Sequence, residues 1–475
     1  MITQMKKRQQ QTQLKQQSWF QQLITQSETA TGLDVNWLQQ LRSDAKRSIA
    51  ASPALNRQLE SWRYSRVETL FKDNFDPLYG NDFYINNLNI KDYLLGSFAS
   101  YRLVFVNGRY AACLSDTSEL PEGVTLGSMN QAINLSVDKS TESLQRNFSQ
   151  NIQTTDNVFN TLNFVLFNDG VYLHIKDAVQ LDLPIEIIYL NTNQAQAENY
   201  HGSMIQTRNV ISLEAASSAV LVERFLHLND DGQYNESRNN EAANNKKYFF
   251  TNVSEIKLAD NAKLKHYRLQ DESREAYHLS NLLVTQQQSS RYETTNLAFG
   301  GAWARTDYKV DFKAEKAQCD LSGLYAVGDQ QLVDFHLDVL HNVPSCRSAE
   351  KFKGIIYGKG RAIFDGRILV ENQAQHTDAA LTNDNLLLVN NAEVSTKPQL
   401  EIYADDVKCS HGTTVGRLDK QQIFYMRSRG IAEAEARKIL CQGFAVDIID
   451  EIELTELREN IASRLLHSLN SDVSG

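Results

Sequence analysis

Short extended segments dominate the chain between about residue 160 and residue 418, and this run constrains the fold most strongly. Stretches such as "GVYLHIKD", "IEIIYLN" and "AVLVERFLHLND" follow one another, and each ends near Asn, Asp or Gly. Stretches with the 3.6-residue period of a helix are almost absent from it. Two β architectures accommodate so many short strands: a sandwich or barrel, and a solenoid of stacked coils.

The spacing of the turns favours the solenoid. Turn residues fall at short, fairly even intervals, and the hairpin dipeptide Asn-Gly does not occur in this run. No exact repeat can be read, so the pattern identifies a β-helix by its many strands and not by a motif. The predicted fold is therefore mainly β, with a parallel β-helix core over residues 156–418.

Helical patterns precede this core. Residues 1 to about 70 are rich in Gln, Lys and Leu, and apolar residues recur there at helical spacing. Within "YRLVFVNGRYAACLSD", the pair Asn107-Gly108 between β-branched and aromatic residues predicts a hairpin. The stretch "SLQRNFSQNIQTTDNVFNTLNFVLF" is again typical of a helix. Residues 1–155 are thus predicted to be a mostly helical region with a small β-hairpin.

A helical period returns after Leu418. In "DKQQIFYMRSRGI", Asp419 is placed as the N-cap and Gly430 at the C′ position. Apolar residues at helical spacing then predict amphipathic helices, namely Ala436, Leu440, Leu454, Leu457, Ile461, Leu465 and Leu469. Residues 419–475 form a predicted helical domain, which either caps the open end of the solenoid or docks a partner.

Charge and cysteine content limit the class of partner and the compartment. The 475 residues carry a net charge of −10, which argues against nucleic acid or an anionic membrane as the main partner. No stretch approaches 18 apolar residues, and the basic N-terminus lacks the apolar run of a secretory signal. The five scattered cysteines form no C-x-x-C and fit a reducing cytoplasm.

The common signatures of nucleotide and hydrolytic chemistry are absent. The chain has no GxxxxGK[ST], no GxGxxG after a strand, no GxSxG and no HExxH. Gly358-Lys359-Gly360 lacks the rest of the P-loop pattern and is interpreted as a turn. Three histidines in strand or turn context, His336, His341 and His376, are interpreted as core or surface residues. Cys319, Cys346 and Cys441 are interpreted as small buried hydrophobic residues.

The stretch "ADDVKCSHGTTVG" carries the main chemical candidate. In an extended strand, Asp405, Val407, Cys409 and His411 would share one face, with the Cα atoms of the last two roughly 6.5 to 7 Å apart. This spacing suits two ligands of a metal or cluster, or a histidine that lowers the pKa of a thiol. It equally suits two residues of a β-rich core. The residues alone leave all three interpretations open.

The C-terminal half resembles the SufB/SufD family of iron–sulfur cluster assembly proteins, specifically its SufD branch. The blocks that carry the resemblance are "STKPQLEIYADDVKCSHG" and "SRGI", at this separation, and "AIFDGRILVENQAQHTDAALTNDNLLLVNN" before them. Weaker agreement extends through "SWRYS", "LGSFASYRLVFVNGRY" and "GGAWARTD". The whole resemblance covers about residues 60 to 465. It does not include the N-terminal 50 or so residues or the Asn-rich insert 230–247.

The resemblance implies a non-ATPase scaffold subunit of a SufBCD-type complex in the cytoplasm, without enzymatic activity of its own. Its core would be a right-handed parallel β-helix that pairs with a SufB-like protein. Its C-terminal domain would dock a SufC-like ATPase, for which Arg427, Arg429 and Gly430 are candidates. A nascent, transient iron–sulfur cluster would be shared with SufB near His411, with Cys409 beside it. A flavin in the complex is implied by family analogy alone.

Two observations refine this expectation. The segment that would carry the essential cysteine in SufB reads "VENQAQHTDAALTNDNLLLVN" here and has none, which favours the SufD branch. A cluster commonly needs about four thiolate or imidazole ligands, so one Cys-x-His strand cannot hold it alone. Because adjacent acidic residues oppose thiolate formation, His411 is the stronger candidate.

Two alternatives remain. A β-helix enzyme acting on polysaccharide would use Asp405 and Asp406 as acid and base, although adjacent residues of a strand face opposite sides. A purely structural partner protein would keep Cys409 and His411 in its core.

Overall fold

The computed structural model describes residues 2–27, 33, 35–53, 55, 59–65, 67–77, 89–96, 98–135, 144, 148, 157–191, 202–227 and 247–470. Its helices are α1 (Ile2–Ser27), α2 (Asn36–Ala51), α3 (Met129–Leu135), α4 (Val158–Leu166), α5 (Lys420–Ser428), α6 (Glu433–Ile449) and α7 (Thr455–Asn470). Short 3-10 turns cover Glu60–Trp62, Val67–Lys72, Ile90–Tyr93 and Ala112–Leu114. Of the described helices, none is long and apolar enough to cross a membrane. The predicted helices at both ends are confirmed, whereas residues 149–156 of the next predicted helix and all of the Asn-rich insert except Lys247 lie outside the described residues.

Strands make up most of the remaining chain. They are β1 (Phe75–Pro77), β2 (Tyr101–Val106), β3 (Arg109–Tyr110), β4 (Val124–Ser128), β5 (Val171–Ile175), β6 (Ile185–Asn191), β7 (Gly202–Leu213), β8 (Ser218–His227), β9 (Tyr248–Leu258), β10 (Lys263–Asp271), β11 (Tyr277–Gln286), β12 (Arg291–Ala298), β13 (Trp303–Phe312), β14 (Gln318–Val327), β15 (Leu332–His341), β16 (Arg347–Ile356), β17 (Arg361–Val370), β18 (Asp378–Leu387), β19 (Glu393–Ile402) and β20 (Lys408–Gly416).

These strands stack into two sheets that are parallel except at one end, where β3 pairs with β2 and β4 pairs with β5 in antiparallel register. In the first sheet the order is β19-β17-β15-β13-β11-β9-β7-β5-β4, and in the second it is β20-β18-β16-β14-β12-β10-β8-β6-β2-β3. Each coil therefore supplies one strand to each sheet and then returns to pair in parallel with the coil before it. The predicted parallel β-solenoid is confirmed, and the sandwich or barrel alternative is wrong, because those folds are built from mostly antiparallel neighbours.

The predicted hairpin lies at the start of the second sheet. Phe105 pairs with Tyr110 in antiparallel register, and the two turn residues Asn107 and Gly108 both have positive φ, at 48° and 75°. Positive φ at both central positions is the geometry that an Asn-Gly dipeptide favours. β2 continues into the solenoid by pairing with β6, and β1 pairs with β7. Both sheets thus include strands from before residue 156.

Apolar side chains fill the space between the sheets, and helices cover the two outer faces. The N-terminal helices and α4 pack on the first sheet, where Phe159 and Trp62 meet Phe249 and Trp303. Helices α6 and α7 pack on the outer face of the second sheet. The residues predicted to form their apolar stripe, Leu457, Ile461, Leu465 and Leu469, are buried there.

Ion pairs fix the C-terminal helices to the solenoid. Arg464 of α7 binds Asp271 of β10 through two hydrogen bonds of 2.7 and 2.8 Å, and both side chains are buried. On α6, Asp447 accepts from Lys353 at 2.7 Å. The helices lie alongside the second sheet and leave β20 exposed, so they do not cap the end of the solenoid.

Candidate functional site

The predicted site lies on β20, the last strand of the second sheet. Cys409 pairs in register with Ala379, and His411 pairs with Leu381. Residues in register on neighbouring parallel strands project to the same face of the sheet. Because Ala379 and Leu381 are buried between the sheets, Cys409 and His411 face the interior. The prediction that these two residues share one face is confirmed.

The two aspartates before them are placed differently from the prediction. The strand begins at Lys408, and Asp405 and Asp406 lie in the turn that precedes it. Asp406 binds the turn one coil earlier, because its backbone N–H donates to Gln375 and its carboxylate contacts His376 Nδ1 at 3.0 Å. The strand alternation therefore does not reach the aspartates, and neither of them faces the interior with Cys409.

The last coil is uncovered, although its side chains face inward. In the described part of the chain, β20 pairs only with β18 and β19 pairs only with β17. Cys409 is consequently half-buried against the core, whereas His411 is exposed. Both strands present an open edge, which in other proteins is a template for pairing with another chain.

The environment of Cys409 keeps its sulfur protonated. Burial raises the pKa of this thiol, and the negative charge of Asp378 raises it further. Asp378 is the residue paired with Lys408 on the neighbouring strand, so this contribution comes from one coil earlier. The predicted effect of adjacent acids thus has the right sign, but Asp378 causes it instead of Asp405 or Asp406.

The described residues do not complete a metal centre by themselves. Within the described ranges, no group of three or more His, Cys, Asp or Glu side chains is placed to hold a metal ion. Cys319 and Cys346 are buried, as predicted, and burial raises the pKa of Cys346 to about 11. Cys441 is also buried, and burial raises its pKa to about 12. Only Cys409 therefore combines partial exposure with a position next to His411.

Two residues behind the site could not be identified from the sequence. Glu350, Leu381 and His411 lie in register on three successive strands of the second sheet, with Leu381 between the other two. Its carboxyl is buried, and burial raises its pKa well above the usual value, while a hydrogen bond with Ser348 acts in the opposite direction. Asp378 and Glu350 become visible only once the register of the coils is known.

A second candidate surface lies on α5. Asp419 caps this helix by accepting from the Gln421 N–H at 2.8 Å, and Gly430 beyond its end has a φ of +87°, so both predicted end signals are confirmed. Ile423 is its one residue buried in the protein. Phe424 and Tyr425 are 73% and 59% exposed, respectively. Large exposed aromatic side chains of this kind mark protein–protein contact surfaces.

The predicted docking arginines lie beside this aromatic pair. Arg427 forms an ion pair with Glu433 at 3.1 Å, and the guanidinium of Arg429 lies 5.4 Å from the centre of the Tyr425 ring. Both are therefore held near the exposed end of α5 by local contacts. The structure places the residues together, and their role in docking stays a prediction.

Comparison with known families agrees with this arrangement. The SufBD core domain of the SUF system for FeS cluster assembly matches residues 193–444, and the SufBD protein N-terminal region matches residues 12–187. These two ranges include the strands of both sheets, the Cys409–His411 segment and the start of the C-terminal helices.

Several curated relatives align over most of their length. The iron-sulfur cluster assembly protein SufD of Escherichia coli is 31% identical over 410 residues, which is 86% of this chain and 88% of that protein. A SufBD family protein of Synechocystis is 30% identical over 75% of each chain. The chloroplastic protein ABCI7 of Arabidopsis thaliana is 26% identical over 89% of this chain and 84% of its own. This chain belongs to the SufBD family of iron–sulfur cluster assembly proteins.

Proposed function

We propose that this chain is a SufD-type scaffold subunit that holds a nascent iron–sulfur cluster at a site completed by a SufB-like partner. One observation carries the proposal: His411 is exposed on the inward face of the uncovered last coil. In a covered coil this position would be part of the core. The cluster is the product that the complex releases, so the scaffold needs few and exchangeable ligands.

The open edges of β19 and β20 support pairing through the solenoid. Apolar side chains are exposed at this end, including Ile402, Tyr403 and Val415. Exposed strand edges with apolar side chains are normally covered in the functional assembly. A second solenoid placed against this edge would bury these side chains and enclose His411.

The chemistry of the strand favours His411 over Cys409 as the contributing ligand. A neutral imidazole can donate an electron pair to iron, whereas a thiol must first lose its proton. The raised pKa of Cys409 opposes that loss while this chain is alone. A partner that brings thiolates and cations to the edge would supply the remaining ligands.

The α5 surface is proposed to dock a SufC-like ATPase. Phe424 and Tyr425 would be the apolar anchors, and Arg427, Arg429 and Gly430 form the polar end of the helix beside them. Aromatic and arginine side chains are enriched among the residues that dominate binding energy at protein interfaces. A flavin bound by the whole complex is proposed by family analogy alone, and no residue of this chain is assigned to it.

The test is expression of this chain with its SufB-like and SufC-like partners, followed by anaerobic co-purification. We expect the wild-type complex to show the visible absorption, iron and sulfide of a bound cluster. With His411→Ala the complex should assemble in the same ratio but lose most of its iron and sulfide. His376→Ala is the matched control, since His376 is an exposed histidine in the neighbouring turn.

The competing function is a purely structural partner without a cluster ligand. Retention of full iron and sulfide by the His411→Ala complex would establish that alternative. Loss of complex assembly with Phe424→Ser, while pairing with the SufB-like protein persists, would separately support the docking surface on α5.

A further inference from the structure

A polar groove lies on the outer face of the first sheet, away from β20. Its volume is about 520 Å³, and its floor is formed by β11, β13, β15, β17 and β19. Its walls come from the segment Leu59–Trp62 and from the start of α4. A preformed cleft of this size on a rigid sheet is typical of sites for small molecules.

Two motifs that the proposed function leaves unused meet at this groove. Trp62 belongs to "SWRYS", and Arg305 belongs to "GGAWARTD". The Arg305 guanidinium lies 4.0 Å from the centre of the Trp62 ring, and it donates to the Ser61 carbonyl at 2.9 Å. Ser65 donates to the buried Asp334 at 2.5 Å. The wall of the groove is therefore tied to its floor by buried contacts.

Two polar side chains in the groove each have an atom without a hydrogen-bond partner in the described part of the chain. Asn160 is 5% exposed, and its Oδ1 atom accepts no hydrogen bond from any described residue. Leaving a buried acceptor unpaired is unfavourable, so a hydrogen-bond donor on a ligand would be favoured here. The Asn160 side chain lines the groove.

The second side chain is that of His336. Its Nε2 atom lies 2.7 Å from Oδ1 of Asp334. Burial acts to raise the pKa of Asp334, but His336 and Arg305 hold it at about 2. An ionised carboxylate only accepts hydrogen bonds, so Nε2 of His336 donates to Asp334 and Nδ1 is the ring nitrogen left for a ligand. The described residues provide no hydrogen bond to this nitrogen.

Charges of both signs alternate along the floor. Asp307, His336, Asp365 and Lys397 lie in register on four successive strands of the sheet. The neighbouring row contains Lys309, Asp338 and Arg367, in which Arg367 pairs with Asp338 at 2.8 Å. A surface of mixed charge does not favour a polyanion or a polycation. It favours a ligand that carries both signs.

The geometry points to a binding site for a zwitterion, namely an amino acid or a short peptide with free termini. We infer that its ammonium group binds among Asp307, Asn160 and His336. Its carboxylate would lie toward Arg367 and Lys397, on the strands nearer the end of the solenoid. The groove is on a different face from His411, so this inference does not depend on the proposed cluster function.

Saturation-transfer NMR on the full chain tests the site with defined probes. Glycine and triglycine are compared with N-acetyl-triglycine, which lacks the ammonium group, and with triglycine amide, which lacks the carboxylate. We expect a zwitterionic probe to bind and each blocked peptide to bind about tenfold or more weakly, because each loses a charge-assisted contact. Binding of both glycine and triglycine indicates an amino-acid site, and binding of triglycine alone indicates a peptide site.

Substitutions locate the binding. Asn160→Leu removes the buried acceptor at similar volume, and His336→Gln removes the imidazole; each should weaken binding about tenfold. His174→Gln is the matched control, because His174 is a surface histidine on β5. If Asn160→Leu lowers the melting temperature, Lys397→Met at the partly exposed floor replaces it. No binding of either zwitterion, equal binding of the blocked peptides, or unchanged binding in the groove variants would overturn the inference.

Discussion

The interior of the solenoid contains histidines in two very different situations, one in its middle and one at its end. His266 in β10 is fully buried, and both ring nitrogens have partners, at 3.0 Å to Glu223 and 3.1 Å to the Tyr292 hydroxyl. His411 in β20 also faces inward, but it is exposed and none of the described residues hydrogen-bonds to its ring. The same residue type on the same sheet is structural where coils cover it and available where they do not.

The buried network around His266 shows what a covered polar interior requires. Arg268 donates to Glu223 at 2.8 Å through Nε and to Ser280 at 3.1 Å through Nη2. Its remaining nitrogen, Nη1, donates to Oδ1 of Asn296 at 3.4 Å. Every charge there has a counter-charge or a hydrogen-bond partner. Such a network can be lost only at high cost, whereas a change at the open end should leave folding unaffected.

The largest expected effect is from breaking this network. Arg268→Met would leave the buried Glu223 carboxylate with only His266 and the Asn209 amide as partners, and we expect the free energy of unfolding to fall by about 3 to 5 kcal/mol. Urea denaturation followed by circular dichroism measures it. Arg427→Met, on exposed α5, should change the same quantity by less than about 0.5 kcal/mol. Equal stability of both variants would show that the interior network is not structural.

Two buried glutamates extend the comparison to pH. Arg268 and His266 outweigh burial at Glu223 and hold its pKa at about 2, below its usual 4.5. A lowered pKa stabilises the fold above the unfolded value, and this stabilisation is lost as pH falls through the folded value. The stability advantage of wild type over Glu223→Gln should therefore shrink between about pH 4.5 and pH 2, by on the order of 3 kcal/mol.

Glu350, near the open end, should show the opposite behaviour. Because burial raises its pKa, it favours the fold below pH 4.5, and that contribution is lost as the pH rises toward the folded pKa. Glu350→Gln should therefore gain stability relative to wild type above pH 4.5, by about 1.4 kcal/mol for each pH unit up to the folded pKa. Parallel pH profiles for wild type and both Glu→Gln variants would contradict the assignment of one interior acid with a lowered pKa and one with a raised pKa.

Sequence patterns were sufficient to predict where helices end and where the hairpin turns, but they were insufficient to predict the turns of the solenoid coils. Asp419, Gly430 and the Asn107-Gly108 pair act through local backbone geometry, so each could be interpreted without knowing the rest of the fold. In the solenoid, the left-handed turn positions are occupied by residues of many types, including Ala216, Asn261, Ser289, Lys316, Gln330, Ser345 and His376. At most of these positions the backbone N–H donates to a carbonyl of the following coil, as Ser345 does to Gln375, and these bonds help offset the strain. No repeat was visible because stacking, not residue type, specifies these turns.

The candidate site was predictable only in part for a related reason. Strand alternation placed Cys409 and His411 on one face, since that depends on neighbouring residues. The partners of this strand depend on how many residues each coil contains, and the coils differ in length. Asp378 next to Lys408 and Glu350 behind Leu381 are consequences of that register, and no local signal in the sequence marks them.

The smallest expected effect concerns the thiol at the open end. Asp378→Asn removes a negative charge that adds to the effect of burial in raising the pKa of Cys409. The thiolate fraction of Cys409 at pH 8 should therefore rise. Its rate of alkylation by iodoacetamide should increase by about twofold to fivefold. Mass spectrometry of the alkylated peptides follows each cysteine separately. Cys319, enclosed in a covered coil with its pKa raised well above the usual value, should stay unmodified in both proteins and serves as the internal control.

Asp384→Asn is the matched substitution on the same strand, where Asp384 accepts a hydrogen bond from Thr414 and is not among the charges that act on Cys409. It should leave the alkylation rate unchanged. If Cys409 reacts as slowly as Cys319 in every variant, the last coil is covered in solution even without a partner. The contrast between His266 and His411 would then lose its basis, because both histidines would lie in a closed interior.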